Sequence, residues 1–197
     1  LGNFANIIML FGRFYAGIDG SNTITFFTYA VILLNVVLSG FIMNINTIVL
    51  KFISESRQIN LTIFSALFSL LVGLFLVIIV HYFGKDIIEL IYQRAEFTYI
   101  DTIKTYHYIK DLSWSFVFIF MATCLFQPFF TLPANILSNS ARLLVTYLIL
   151  ILFATIICIF FMDYSKKDSI IILMSSLSVS YFIFGVFSLF KYNRYAY

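Results

Sequence analysis

Residues 25–50 carry no charge, no proline and a single glycine, Gly40. As a helix rising 1.5 Å per residue, such a run reaches roughly 37 Å, enough to cross a bilayer core of about 30 Å with some tilt. At about 100° per residue, Thr28, Asn35, Ser39 and Asn46 fall within a sector of roughly 40°. A membrane-length helix with one polar stripe must turn that stripe toward protein or water. The remaining chain is read around this helix.

The surrounding composition agrees. The chain is 62% hydrophobic and 11% charged, with a mean hydropathy of +1.01. A soluble domain has about 25% charged residues to cover its outside. This chain does not, so lipid is its main solvent. Its aromatic content of 20%, mostly Phe, suits a lipid-facing surface. A net charge of +3, dispersed along the sequence, excludes a nucleic-acid binder, and no basic run points to anionic lipid. Cys124 and Cys158 lie inside apolar runs and read as packing residues rather than a disulfide. Leu1 to Phe11 lacks the basic start and cleavage site of a signal peptide. The chain opens directly on an apolar run without Met, which reads as a piece of a longer membrane protein.

The fold class expected is all-α, a polytopic membrane bundle of about six transmembrane helices in one lobe. The spans are 1–17, 25–50, 61–82, 113–132, 141–162 and 169–190, with a polar interval over 83–111. On the first span Asn6 and Arg13 share a face, Arg13 pointing into a bundle or snorkelling to the nearby end. Ala66, Ser69 and Gly73 form a small-residue packing face on the third. Within the polar interval, Lys85 to Tyr92 suits a helix lying on the membrane surface. Trp114 anchors the fourth span, and Gln127-Pro128 predicts a kink near its far end. The sixth carries Ser175, Ser176, Ser178 and Ser180, groups suited to interhelical hydrogen bonds. The density of basic residues around 51–60, 133–140 and the C-terminal tail favours that side as cytoplasmic.

Little here suggests catalysis. His81 and His107 have no Cys or carboxylate at metal-ligand spacing, so no metal is expected. Phosphate loops and nucleophile elbows are absent from the sequence, and no cofactor is implied. Asp86 and Glu89 read as a solvated helix face. The residues left to act are Arg13, Asn6, Thr28, Asn35, Ser39 and Asn46. They either glue helices, at about 0.6 kcal/mol per contact, or line a path on which Arg13 attracts an anionic head group.

Two stretches carry a family resemblance. FGRFYAGIDGSNTITFFTYA, continuing to KFISES at Ser56, resembles the seventh and eighth helices of the MviN/MurJ family of lipid-linked precursor flippases. These belong to the superfamily of multidrug, oligosaccharidyl-lipid and polysaccharide exporters. IYQRAEFTYIDT is similar to that family's R-G-x-F-T-x-x-D element, carried by Arg94, Phe97, Thr98 and Asp101, with Ala95 where glycine is usual. Val31 and Ile32 stand where the family commonly has an acid and an arginine, and Gly12 where many members have an acid. The resemblance implies the second lobe of a two-lobed transporter in the bacterial inner (plasma) membrane. Its cargo would be an undecaprenyl-pyrophosphate-linked sugar, for peptidoglycan or another cell-envelope polysaccharide. Transport would proceed by alternating access, with no enzymatic step, and would require a missing N-terminal lobe or partner chain besides membrane lipid. Arg94 to Asp101 would be structural. The alternative expectation is a non-transporting membrane scaffold whose polar stripe is buried packing.

Overall fold

In lipid the solvent is apolar, so the least apolar long helix should be the one packed inside. The computed structural model of the chain describes residues 4–18, 22–56, 59–93, 97–162 and 164–195. They form α1 (Phe4–Gly17), α2 (Thr23–Val37), α3 (Met43–Ser56), α4 (Ile59–Tyr92), α5 (Tyr99–Leu125), α6 (Ala134–Met162) and α7 (Lys166–Tyr195). A π-helical turn at Leu38–Ile42 joins α2 and α3 into one rod, and a 3-10 turn at Gln127–Thr131 follows α5. There is no strand among the described residues.

Five of these rods are long and apolar enough to cross a membrane: Thr23–Glu55, Asn60–Tyr92, Tyr99–Thr131, Ala134–Met162 and Lys166–Phe190. The least apolar of them is the most buried. The α5 rod has the lowest mean hydropathy, 1.6, and is 83% buried across its core window; α4 and α6, at 3.0 and 2.9, are 33% and 22% buried. The bundle is therefore built around α5, with α2, α4 and α7 against it and α6 and α1 on the outer flanks of α7.

Of the first expected span, 1–17, the described part is α1, 14 residues and about 21 Å long. It packs its buried side, Ala5, Ile8, Gly12 and Ala16, on α2 and α7. Among the described residues there are six helical rods, five of them of membrane-crossing length.

The interval 83–111 is also corrected. No separate surface helix forms over Lys85–Tyr92; α4 runs straight on to Tyr92, and α5 begins at Tyr99. The reason is packing against α5. Gly84 leaves room for the Tyr106 ring, whose hydroxyl donates to the His81 carbonyl at 3.1 Å, and Ile88 is fully buried. Lys85 donates to the Tyr99 hydroxyl at the tip of this hairpin. Lower down, Gly73 admits the Val117 backbone, so α4 and α5 stay close along their length.

Hydroxyl pairs tie the outer helices on. Ser115 meets Ser175 at 3.0 Å between α5 and α7, and Thr155 meets Ser176 at 3.0 Å between α6 and α7. Ser178 instead returns its hydroxyl to the Met174 carbonyl of its own helix. Both cysteines are free, Cys124 buried and Cys158 exposed.

Charged residues mark the two ends of an apolar belt. Between Asp111 and Thr131 the α5 rod carries no charge over a rise of about 30 Å. At one end stand Lys110 and Asp111, with Lys167 of α7 in a salt bridge to Asp111 at 2.7 Å. At the other stand Lys51 and Arg142, both exposed.

Candidate functional site

The α2–α3 rod sets the site through its helical phase. One buried line of the rod, Phe26, Ala30, Leu34, Leu38, Ile42 and Asn46, recurs every fourth residue, with Phe27 and Val31 buried beside it. A regular helix has 3.6 residues per turn, so a spacing of four drifts steadily around the rod. The π turn absorbs that drift. It accommodates one extra residue, shifting α3 by about 100° relative to an uninterrupted helix. Asn46 thereby returns to the buried line while Asn35 and Ser39 stay off it.

The sequence-selected polar residues consequently do not form one stripe. Thr28 and Asn35 are half-buried, Ser39 is exposed, and Asn46 is buried. The Ser39 hydroxyl donates to the Asn35 carbonyl at 2.9 Å, satisfying itself within the helix. Asn46 faces the bundle, where its amide and the Ser65 and Ser69 hydroxyls surround the Cys124 thiol.

On α1, Asn6 is exposed and Arg13 half-buried, with the Arg13 Nε buried and lacking a hydrogen-bond partner among the described residues. Gly12, beside Arg13, lies against Phe27 and Met174. Phe27 is 19 positions before Asn46 on the same rod, a separation of about 28 Å. Arg13 and Asn46 thus sit near opposite ends of the apolar belt.

What Asn46 does line is a groove of about 290 Å³, with Met43, Thr47 and Leu50 of α3, Thr123 of α5, and Gln127 and Phe130 of the 3-10 turn. The kink expected at Gln127-Pro128 builds its far wall: α5 ends at Leu125 and the 3-10 turn follows. Gln127 Nε2 donates to the Thr123 carbonyl at 3.0 Å, holding the amide at the groove. Thr47 donates to the Met43 carbonyl at 3.0 Å and Thr123 to the Phe120 carbonyl at 2.8 Å. Both hydroxyls have spent their only proton on the backbone. The Asn46 Oδ1, buried beside the groove, accepts from no group among the described residues. The groove is uncharged and rich in acceptor oxygen. It favours hydrogen-bond donors over anions.

Beside it lies a face that reading by period alone misses. Asn44, Thr47, Lys51, Ser54 and Glu55 are all exposed and fall within about 100° on α3. Their exposure leaves this side open, while α3 makes its main contacts with the π turn, α4 and the 3-10 turn. The Asn44 Nδ2 donates to the Gly40 carbonyl at 2.7 Å, which leaves its carbonyl oxygen outward. The π turn makes this face visible; before it, the period placed Asn44 and Thr47 off the stripe.

The second motif stretch proves to be a helix start. Thr98 is the N-cap of α5, and its hydroxyl and Asp101 close a capping box, with Thr98 N donating to Asp101 Oδ2 at 2.9 Å. Phe97 packs against Tyr92 in a tilted contact and against Tyr29 edge to face, centroids 5.8 and 5.5 Å away. The Tyr29-Ala30 and Phe97-Thr98 stretches therefore touch. Arg94 lies outside the described residues. There is no group of three or more metal-ligating side chains among those described.

Five membrane-length rods, four of them more apolar than the central α5, define a multi-pass α-helical membrane protein. Comparison with models of protein families, with curated proteins and with solved structures finds no match.

Proposed function

We propose that this chain is one lobe of a membrane transporter that flips a lipid-linked sugar by alternating access, acting with a second lobe or partner chain. The observation that carries the reading is the uncovered polar face of α3, running from Asn44 to Lys51 with the acceptor-rich groove at its edge. An amide facing acyl chains is left with an unmet acceptor costing about 1–3 kcal/mol, so such a face is stable only against water or another polar surface. A cavity between two lobes supplies both. The sugar hydroxyls of a lipid-linked glycan are the donors that Asn46, Thr47, Thr123 and Gln127 would accept from. A charged head group would be met by Arg13 at the far end of the belt. The family resemblance adds undecaprenyl-pyrophosphate as carrier and the bacterial inner membrane as location. Catalysis has no part in this reading.

The test is labelling in intact membranes. Single cysteines at Asn44 and Thr47, in a chain with Cys124→Ser and Cys158→Ser, are treated with a membrane-impermeant maleimide. Phe41, 61% exposed two residues past Ser39, serves as the lipid-facing control. We expect positions 44 and 47 to react at least tenfold faster than position 41. Reaction at the rate of position 41 would leave the α3 face in lipid and remove the transport reading in favour of a scaffold.

A further inference from the structure

A second polar pocket lies at the opposite end of the apolar belt. It has about 350 Å³ and is lined by Asn22, Thr23 and Phe26 of the α2 start, Lys104, His107 and Tyr108 of α5, and Lys167 of α7. Its basic groups come from two helices. The Lys104 Nζ lies 5.2 Å from the Phe26 ring centroid, which holds the ammonium at the mouth through a cation–π contact. Lys167 is shared with Asp111 at 2.7 Å. Among the described residues, Asp168 accepts from Ser165 at 2.6 Å in its own helix turn, and Asp101, one turn before Lys104, attracts the Lys104 ammonium while accepting hydrogen bonds from Thr98. Lys104 and His107 are exposed, and no described carboxylate lines the pocket with them. The Asn22 side chain makes no capping hydrogen bond at the start of α2, whose partial positive charge adds to theirs.

Height decides what such a pocket meets. His107, Lys110 and Asp111 stand at the end of the charge-free stretch of α5, and Trp114, 54% exposed, sits one turn inside them. This is the level of lipid phosphates, with an indole anchor just below. Thr23 meets the Tyr108 hydroxyl across the pocket, giving neutral donors beside the cations.

We infer that this pocket binds a phosphate-bearing anion, and that the source of the phosphate is the head group of an anionic membrane lipid. A basic pocket between membrane helices at phosphate height recognises an anionic head group by ordinary charge complementarity. The inference is independent of the transport reading, whose groove lies at the other end of the belt.

The experiment uses the purified full chain in detergent, exchanged with phosphatidylglycerol or phosphatidylcholine at equal mole fraction and weighed by native mass spectrometry. Phosphatidylglycerol should be retained in preference to phosphatidylcholine. Lys104→Gln should lower its retention roughly fivefold, the effect of one lysine near a charged surface. Arg142→Gln, at the opposite end of the belt, should not change it. Lys104 and Arg142 are both exposed, and unchanged helical circular dichroism checks that each variant folds. Equal retention of the two lipids, or an equal loss in the two variants, overturns the inference. A parallel titration with inorganic phosphate separates the sources: displacement of phosphatidylglycerol at millimolar phosphate upholds the phosphate site and overturns the lipid as its source.

Discussion

Gly12 shows how tightly the first helix is fitted. A Cβ at this position would stand 2.6 Å from Phe27 Cζ and 2.7 Å from Met174 Sδ, inside any real contact distance. Phe27 is fully buried, so its ring has nowhere to retreat. Gly12→Ala should destabilise the bundle by about 1–3 kcal/mol, the usual cost of one overpacked methyl group. Gly40 is the control, since a Cβ there meets nothing within 4 Å. Gly40→Ala should be neutral or stabilise by up to about 1 kcal/mol. Thermal unfolding in detergent, followed by far-ultraviolet circular dichroism, separates the two. Equal midpoints would mean that α1 is not packed where the structure puts it.

Among the elements, the α2–α3 rod has the clearest internal logic. Its π turn is an accommodated insertion, so removing one residue there should restore a regular helix and leave both flanking faces in place. Deleting Gly40 is expected to preserve the melting midpoint within a few degrees. Deleting Ile48 shifts the residues beyond it by about 100° and should unfold the α3–α4 packing. The comparison of midpoints is the measurement, and a Gly40 deletion as damaging as the Ile48 deletion would sink the insertion account. The same turn explains how far the sequence could be read. Length and apolarity mark the rods at 25–50, 61–82, 141–162 and 169–190 without help from coordinates, Arg142 at one edge being their one charge. A π turn has no residue signature, so a uniform 100° step joined Asn35 and Ser39 to Asn46 and passed over Asn44 and Thr47. The hairpin between α4 and α5 was obscured differently. Its charges suggest a surface, whereas Tyr106, Ile88 and Tyr99 make it a continuation of two spans.

At the scale of the whole molecule the packing is inverted relative to a soluble protein: α5, the least apolar rod, is central and the more apolar α4 and α6 form the outside. Exposure alone therefore predicts the wrong substitutions as harmless. Phe153, in the middle of α6, is 61% exposed. On a soluble surface a lysine there would be welcome. In a bilayer a lysine at mid-helix costs about 2.5–3.5 kcal/mol on insertion scales, comparable to a large part of a bundle's stability. Phe153→Lys should deplete the chain from the membrane fraction and lower its melting midpoint, while Phe153→Leu leaves both unchanged. Quantitative blotting of membrane and soluble fractions reads the first effect, and dichroism in detergent the second. Full retention of the lysine variant would mean that α6 faces water or another protein rather than acyl chains. The lipid boundary would then have to be redrawn around the exposed polar face of α3, because one outer helix already known to be wet removes the reason for treating that face as exceptional.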